Sequence, residues 1–211
     1  SFVVLRFDRQ VLKKKDSEAI LPSPAPFNVL DKSIADVSLL TGLLVDKFQY
    51  HLPLYRQHQR LTDAGITLSR STLTNVVRRA IDLLYPIADA QLASILESKV
   101  LAMDETPIKA GKAGPGKLKQ SYFWPVYGDK DEIAFTFSTS RGRQHIETVL
   151  KSRFKGTLLS DGYSAYASYA KANDELIHAQ CWVHSRRQFI EAEKDMPELA
   201  AEAIGQIAIE L

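Results

Sequence analysis

The stretch LLSDGYSAY, residues 158–166, decides the fold of the second half of this chain. Its apolar start, Leu158 and Leu159, predicts a buried strand that ends at Asp161. Asp161 and Gly162 form a common turn dipeptide, and the segment after them has a helical pattern. A strand does not need a lone carboxylate at its end, so Asp161 is either a turn residue or half of a metal site.

Strand and helix patterns alternate on both sides of this stretch. Three strands joined by short connections predict an antiparallel meander, and two strands that each follow a helix predict parallel additions to the same sheet. We therefore expect an α/β fold with a mixed sheet and flanking helices. The lysine- and glycine-rich residues 109–120 predict a loop that either lies along a DNA backbone or is only solvated. The predicted strands are KVLAMDET, SYFWPVYG, EIAFTFSTS, GTLLSD and ELIHAQCW.

The first predicted strand, KVLAMDET, places Asp104 near its end. In a mixed sheet of this kind the fourth strand can lie beside the first, which would bring Asp104 and Asp161 together at one edge. A close pair of carboxylates is costly unless it is protonated or bound to a metal, and oxygen ligands suit Mg²⁺ or Mn²⁺. The alternative is that Asp104 only caps the residues after it. Glu105 is expected to point to the opposite face of the strand and to be structural.

The first half of the chain predicts helices behind an extended arm. Residues 1–30 predict an N-terminal arm and a proline-rich linker, residues 31–97 a helical region, and residues 98–211 the sheet domain. The third helix is expected to end before Pro86, with a further short helix after it. The predicted helix starts are Asp31 or Ser33, Pro53, and Ser69 or Ser71.

Residues 60–79, RLTDAGITLSRSTLTNVVRR, have the layout of a helix-turn-helix: a helix, a glycine turn and a second helix that begins with hydroxyl residues. Many pairs of helices look similar and bind nothing, so a purely structural hairpin is the alternative. The residues expected near the groove end of the second helix are Ser69, Arg70, Ser71, Thr72 and Asn75, and those expected to reach phosphates are Arg78 and Arg79.

Composition and charge bound the class of protein. Apolar residues are 45% and charged residues 25% of the 211, with a net charge of +2 and one cysteine. The basic excess lies in residues 1–90, which permits nucleic-acid binding without requiring it. The chain has no apolar run of membrane-spanning length, and its charged start is unlike a signal peptide. One cysteine fits a reducing setting, so we expect a cytoplasmic protein with no membrane partner.

The segment CWVHSRR has one cysteine and one histidine, Cys181 and His184, which make at most half of a zinc site. We expect Cys181 to be buried at the end of a strand and His184 to cap the helix that follows. The functional alternative is that His184 and Arg187 lie near the carboxylates and touch a DNA phosphate. Three tyrosines after Asp161 recur at three-residue steps and predict core packing. The alternative is that the first two stack on a flipped base or bond a phosphate. They are Tyr163, Tyr166 and Tyr169.

Four motifs together resemble the insertion-sequence 66 transposase family: HLPLYRQHQRLTDAGITLSRSTLTN, MDETPIK, FKGTLLSDGYSAY and CWVHSRRQF. The quoted motifs lie between residues 51 and 189, and the resemblance as a whole extends from about residue 25 to residue 190. The resemblance implies a ribonuclease-H-like catalytic core with a DDE triad, of which Asp104 and Asp161 are the first two acids and hold Mg²⁺ or Mn²⁺. It implies DNA as the partner, both transposon ends and target, and a bacterial, nucleoid-associated location. It leaves a homo-oligomer open.

The third acid of such a triad is a glutamate on a later helix, in a stretch that resembles Asn-Asn-x-x-Glu-Arg. No such stretch occurs here; Glu191 and Glu193 are the nearest helical acids, and surface solvation explains both. Two carboxylates do not easily build a two-metal clamp, so we expect this 211-residue chain to be a poor or inactive recombinase. The alternatives are a non-catalytic DNA-binding fragment and a ribonuclease-H-like nuclease.

Overall fold

The computed structural model describes residues 2–15, 18, 20–151 and 154–210, apart from the side chains of residues 112, 113 and 210. Contacts within the chain divide it into two units, Ser1–Pro86 and Ile87–Leu211. None of the helices in the described ranges has the length and apolar character needed to cross a membrane.

The first unit contains a short antiparallel pair of strands and a group of helices. Leucine, valine and alanine side chains from the three helices, together with Leu30 and Ala35 just before the first of them, form its buried core. Each large one contributes about 1.5–3 kcal/mol by leaving water. The elements are β1 (Val11–Lys13), β2 (Ile20–Pro22), α1 (Val37–Phe48), α2 (Leu54–Asp63) and α3 (Arg70–Ile95), which continues into the second unit.

Helix α1 begins later than its sequence predicts. Asp36, not Asp31 or Ser33, is the N-cap, and its Oδ1 accepts the Leu39 amide at 2.9 Å. Ser33 does not cap the helix, because its hydroxyl accepts a hydrogen bond from the Ala35 amide at 3.1 Å. The predicted cap was wrong because a local turn occupies the residues before Asp36.

Helix α3 runs through Pro86, where the sequence predicted a break between two helices. Proline removes one amide donor from the helix but keeps a helical φ. Residues 81–91 are exposed, so water can bond the carbonyl that lacks its partner. A proline in an exposed stretch therefore does not end this helix.

The second unit is built on a six-stranded mixed sheet. Strands β4 and β6 both pair with β5, and the order continues β5–β3–β7–β8. The strands are β3 (Val100–Met103), β4 (Thr106–Gly114), β5 (Lys117–Tyr127), β6 (Ile133–Ser138), β7 (Gly156–Ser160) and β8 (Leu176–Gln180). The helices are α4 (Arg143–Leu150), α5 (Ser164–Ala170), α6 (Trp182–Ala192) and α7 (Pro197–Glu210).

The loop predicted over residues 109–120 is instead part of a β-hairpin. Strand β4 pairs antiparallel with β5 from Thr106↔Phe123 to Gly114↔Lys117, with irregular register near its end. Gly111 and Gly114 have positive φ at these irregularities, which glycine tolerates. The prediction was wrong because backbone pairing forms the hairpin, and the many lysines and glycines of this segment give no alternating apolar pattern in the sequence.

Strands β3 and β4 form one line along β5, interrupted at Asp104 and Glu105. Met103 pairs with Val126. Thr106, three residues after Met103, pairs with Phe123, three residues before Val126 on the antiparallel strand β5. On its other edge β3 runs parallel to β7, as predicted for the first and fourth predicted strands. This arrangement is consistent with a ribonuclease-H-like fold.

The sheet buries one face and leaves much of the other exposed. Trp124, Leu158 and their neighbours on one face pack with α4, α5 and the end of α3. Side chains of alternate residues face the other way, and large apolar residues there are exposed. The exposed ones on this second face include Val100, Phe123, Tyr127, Ile133, Phe135, Phe137 and Ile177.

Candidate functional site

The ends of two neighbouring parallel strands bring Asp104 and Asp161 together. Ala102 of β3 pairs with Leu159 of β7, and the two aspartates are each two residues further along. One carboxylate oxygen each from Asp104, Glu105 and Asp161 lie within 4.8 Å of one another. The sheet register thus forms an acidic cluster, the group of these three side chains.

Each aspartate uses one oxygen to bond the backbone. Asp104 Oδ1 accepts the Glu105 amide at 2.8 Å, and Asp161 Oδ1 accepts the Tyr163 amide at 2.9 Å. The second oxygen of each faces a basic side chain: Asp104 Oδ2 lies 3.8 Å from His184 Nε2, and Asp161 Oδ2 lies 3.8 Å from Arg141 Nη2. The turn role and a ligand role of Asp161 are therefore compatible, because they use different oxygens.

Glu105 does not point away from the aspartates, as its sequence position predicted. Strand β3 ends at Met103 and β4 begins at Thr106, so the alternation of side chains between faces does not run through Glu105. Its side chain is only 1% exposed. Arg141 donates to Oε1, and the Tyr166 hydroxyl donates to Oε2 at 2.8 Å. Burial raises the pKa of Glu105, and the bonds from Tyr166 and Arg141 act against that rise.

Arg141 was not singled out from the sequence, because an arginine just before a helix gives no signal of a site. It lies between β6 and α4, and its guanidinium is 4.1 Å from the centre of the Tyr163 ring. The Tyr163 hydroxyl donates to the Arg141 carbonyl at 2.7 Å. Although partial burial acts to lower the pKa of Arg141, the bond to Glu105 and nearby acids raise it above its ordinary value. The side chain is therefore a permanent cation beside the acidic cluster.

The three tyrosines after Asp161 have different surroundings. Tyr166 and Tyr169 are buried in the sheet core, as the prediction of core packing expected. Complete burial excludes base stacking by Tyr166 in this conformation. Burial and the charge of Glu105 raise the pKa of Tyr166, so its hydroxyl remains a donor. Tyr163 is half-buried, and its ring faces Arg141.

His184 lies at the edge of the acidic cluster, whereas Arg187 is exposed further along α6. Nδ1 of His184 is buried and has no hydrogen-bond partner in the described part of the chain. Among the described residues, the acidic cluster is the only group of three or more potential metal ligands, and Cys181 is not in it. Glu191 and Glu193 are exposed and also lie outside it.

The start of α3 carries the residues expected to contact DNA. Ser69 is the N-cap, since its Oγ accepts the Thr72 amide at 3.0 Å, and it also bonds the Ser71 and Thr72 hydroxyls at 2.8 Å. Arg70, Ser71, Asn75 and Arg78 are exposed, and Thr72 and Arg79 are half-buried.

Two contacts hold the arginines of this helix. Arg78 donates to Asn75 Oδ1 at 3.1 Å, and Arg79 donates to the Asp31 carbonyl at 2.6 Å. Six residues, 64–69, separate α2 from α3, more than the three or four usual in a helix-turn-helix. DNA binding by this hairpin stays a prediction.

Comparisons with known proteins match most of the chain. The family model described as "Transposase IS66 family" matches residues 32–209. Three uncharacterized proteins of Sinorhizobium fredii (strain NBRC 101917 / NGR234) are similar: y4jD at 34% identity over 83% of this chain, y4qI at 29% over 89%, and y4hP at 32% over 90%. The aligned part covers 37%, 37% and 36% of those relatives, so the chain spans little more than a third of their length.

Proposed function

This chain belongs to the IS66 family of transposases, and on that premise we propose that it takes part in metal-dependent cleavage and joining of DNA strands at transposon ends. One observation carries the proposal: Asp104 and Asp161 follow neighbouring parallel strands and lie in one acidic cluster. We propose that the sheet unit is a ribonuclease-H-like catalytic core. Its substrate would be DNA, and its place of action the bacterial nucleoid.

The donor set suits a divalent ion such as Mg²⁺ or Mn²⁺, which prefers carboxylate oxygens. Asp104 and Asp161 each have an oxygen that makes no backbone bond, so these two residues would hold the ion. Both oxygens of Glu105 are occupied by Arg141 and Tyr166, which makes Glu105 a poorer ligand. The bound ion would activate a water or a 3′-hydroxyl and stabilise charge at the phosphate.

The chain's own residues would orient the reacting groups. Backbone amides hold the two aspartates in fixed orientations, which lowers the cost of arranging them for the reaction. The Asp104 side chain is 47% exposed, so a DNA strand can reach it. His184 and Arg187 would contact phosphates near the acids.

The helical unit would bind DNA through the start of α3. Arg70, Arg78 and Arg79 would contact phosphates, while Ser71, Thr72 and Asn75 would approach base edges. Since phosphate contacts by cations release counterions, this binding should weaken as salt rises.

A DNA-binding measurement with and without metal tests the proposal. The affinity of the chain for a fluorescently labelled DNA duplex would be measured in Mn²⁺ and in a chelator. We expect Mn²⁺ to strengthen binding, because an ion held by the aspartates bridges to a phosphate, and we expect Asp104→Asn and Asp161→Asn to lose that gain. An equal affinity in both buffers for the unchanged chain would contradict the metal-dependent mechanism.

Two alternatives remain distinct from a transposase. A non-catalytic DNA-binding role is favoured by the full occupation of Glu105 and the exposure of Glu191 and Glu193, which leave the two aspartates without a third free acid among the described residues. This role predicts DNA binding that does not depend on Mn²⁺. A nuclease of the same fold would cut a plasmid target without forming joined products, whereas a transposase would form them.

A further inference from the structure

We propose that Arg141 binds a DNA phosphate beside Asp161, and that Glu105 and Tyr163 are the residues that position it. The inference rests on the proposed function, since it adds a contact to the same DNA site. It concerns a residue that neither the sequence motifs nor the acidic cluster identifies.

Arg141 is held at three points. Its Nε and Nη2 groups both contact Glu105 Oε1, its guanidinium lies on the Tyr163 ring at 4.1 Å, and its carbonyl accepts the Tyr163 hydroxyl at 2.7 Å. Glu105 is itself fixed by the bond from Tyr166. An arginine already ordered by its neighbours loses less conformational entropy when it binds a ligand.

Part of the guanidinium is left for a ligand. The Arg141 side chain is 44% exposed, and within the described part of the chain its Nη1 group has no partner. Its Nη2 lies 3.8 Å from Asp161 Oδ2, which is beyond hydrogen-bond distance. A phosphate bridged to Asp161 by a divalent metal ion would therefore also lie near the free N–H donors of Arg141. Guanidinium groups bind phosphate oxygens well.

The charges around the site favour a basic side chain at this position. Three carboxylates within 4.8 Å repel a phosphate. Arg141 and His184 are the basic side chains within 4 Å of these acids among the described residues, and arginine is charged at every working pH.

A purely structural role explains the ion pair between Arg141 and Glu105 less well than a binding role does. Glu105 is 1% exposed while Arg141 is 44% exposed, so the carboxylate loses its water and the guanidinium keeps much of its own. Apolar side chains in place of a buried ion pair are often equally stable or more stable, so stability alone does not favour keeping the pair.

The test is the salt dependence of DNA binding in Mn²⁺, measured from about 50 to about 200 mM salt. For Arg141→Gln we expect affinity to fall about tenfold, the effect of one charge-assisted hydrogen bond, and the slope of log affinity against log salt to fall by about one. Arg141→Lys should keep the slope because it keeps the charge. The matched control is Arg143→Gln, which removes the same charge from an arginine paired with Glu147 and should leave the slope unchanged.

Mn²⁺ titration of the same variants separates a lost phosphate contact from a collapsed site. We expect Arg141→Gln to fold and to bind Mn²⁺ as the unchanged chain does. If Arg141→Gln loses Mn²⁺ binding, or if its salt slope equals that of the unchanged chain, the inference is overturned while the proposed function stands. Absence of DNA binding by the unchanged chain would overturn both.

Discussion

At the residue scale, single side chains of this protein have two tasks on separate atoms. Asp161 stabilises the turn after β7 with Oδ1 and faces Arg141 with Oδ2. The sequence presented these as alternatives because a dipeptide pattern does not distinguish two oxygens of one carboxylate. Glu105 and Arg141 were missed for a related reason: their pairing joins positions 36 residues apart, and no local pattern records it.

His145 makes stability depend on pH in the sheet unit. Its Nε2 bonds the Thr136 hydroxyl at 2.8 Å, and its ring is 5.0 Å from that of Trp124. Burial lowers the pKa of His145 below the ordinary value of 6.5, so the folded chain favours neutral imidazole. The unfolded chain therefore binds more protons below pH 6.5, and the free energy of unfolding should fall as pH drops from 6.5 through the lower folded pKa.

The substitution that tests this pH dependence is His145→Asn, which removes the titrating imidazole. Urea unfolding followed by tryptophan fluorescence at about pH 7.5 and about pH 5.5 should give a smaller difference between the two pH values for the variant than for the unchanged chain. Equal differences for the two proteins would show that another group governs this pH range.

At the element scale, apolar patterns in the sequence predicted the strands that bury apolar side chains. Strands β3, β5 and β7 have buried positions that repeat every two residues. These three strands and the apolar strands β6 and β8 were all expected. Strand β4 was not expected, because only its backbone pairing with β5 identifies it as a strand. The start of α1 and the passage of α3 through Pro86 depend on local hydrogen bonds and solvent exposure, which residue types record weakly.

Gly156 sets the distance between the two strands that carry the acids. It begins β7 with φ +157°, and a Cβ there would clash with the carbonyl oxygen of Lys99, just before β3. Gly156→Ala should destabilise the fold by about 2 kcal/mol or more, because backbone must move, and should weaken Mn²⁺ binding.

The control for this change is Gly42→Ala in α1, where no atom apart from the neighbouring residues and the helix's own backbone lies within 4 Å of the added Cβ. Alanine there should be neutral or stabilising by up to about 1 kcal/mol, since it is the better helix former. If Gly156→Ala unfolds at the same urea concentration as Gly42→Ala, β3 and β7 are not as close as described.

At the scale of the whole molecule, two units have separate cores, and the sheet of the second unit has a buried and an exposed face. The sequence predicted a helical region before a sheet domain. It did not predict which face of the sheet is exposed, because both faces carry apolar residues: β6 alternates Ile133, Phe135 and Phe137 with smaller ones.

Substitutions on the buried and exposed faces of the sheet should lower the free energy of unfolding by different amounts. Trp124 is fully buried and donates to Ser138 Oγ at 2.9 Å, so Trp124→Ala should lower the free energy of unfolding by about 3–5 kcal/mol. Phe135 is 65% exposed, and Phe135→Ala should cost less than about 1 kcal/mol. Urea unfolding followed by circular dichroism compares them, and a larger loss for Phe135→Ala would reverse the assignment of the faces.

The most direct test of the proposed metal centre is calorimetric titration of Mn²⁺ into the purified chain and into its Asp161→Asn variant. Asp104→Asn serves as a second variant, and Asp174→Asn, at an exposed acid remote from the cluster in sequence, serves as the control. We predict saturable binding by the unchanged chain and by Asp174→Asn, and its loss in both cluster variants. Unchanged binding by Asp161→Asn, or no binding by the unchanged chain, would contradict the assignment of Asp161 as a metal ligand.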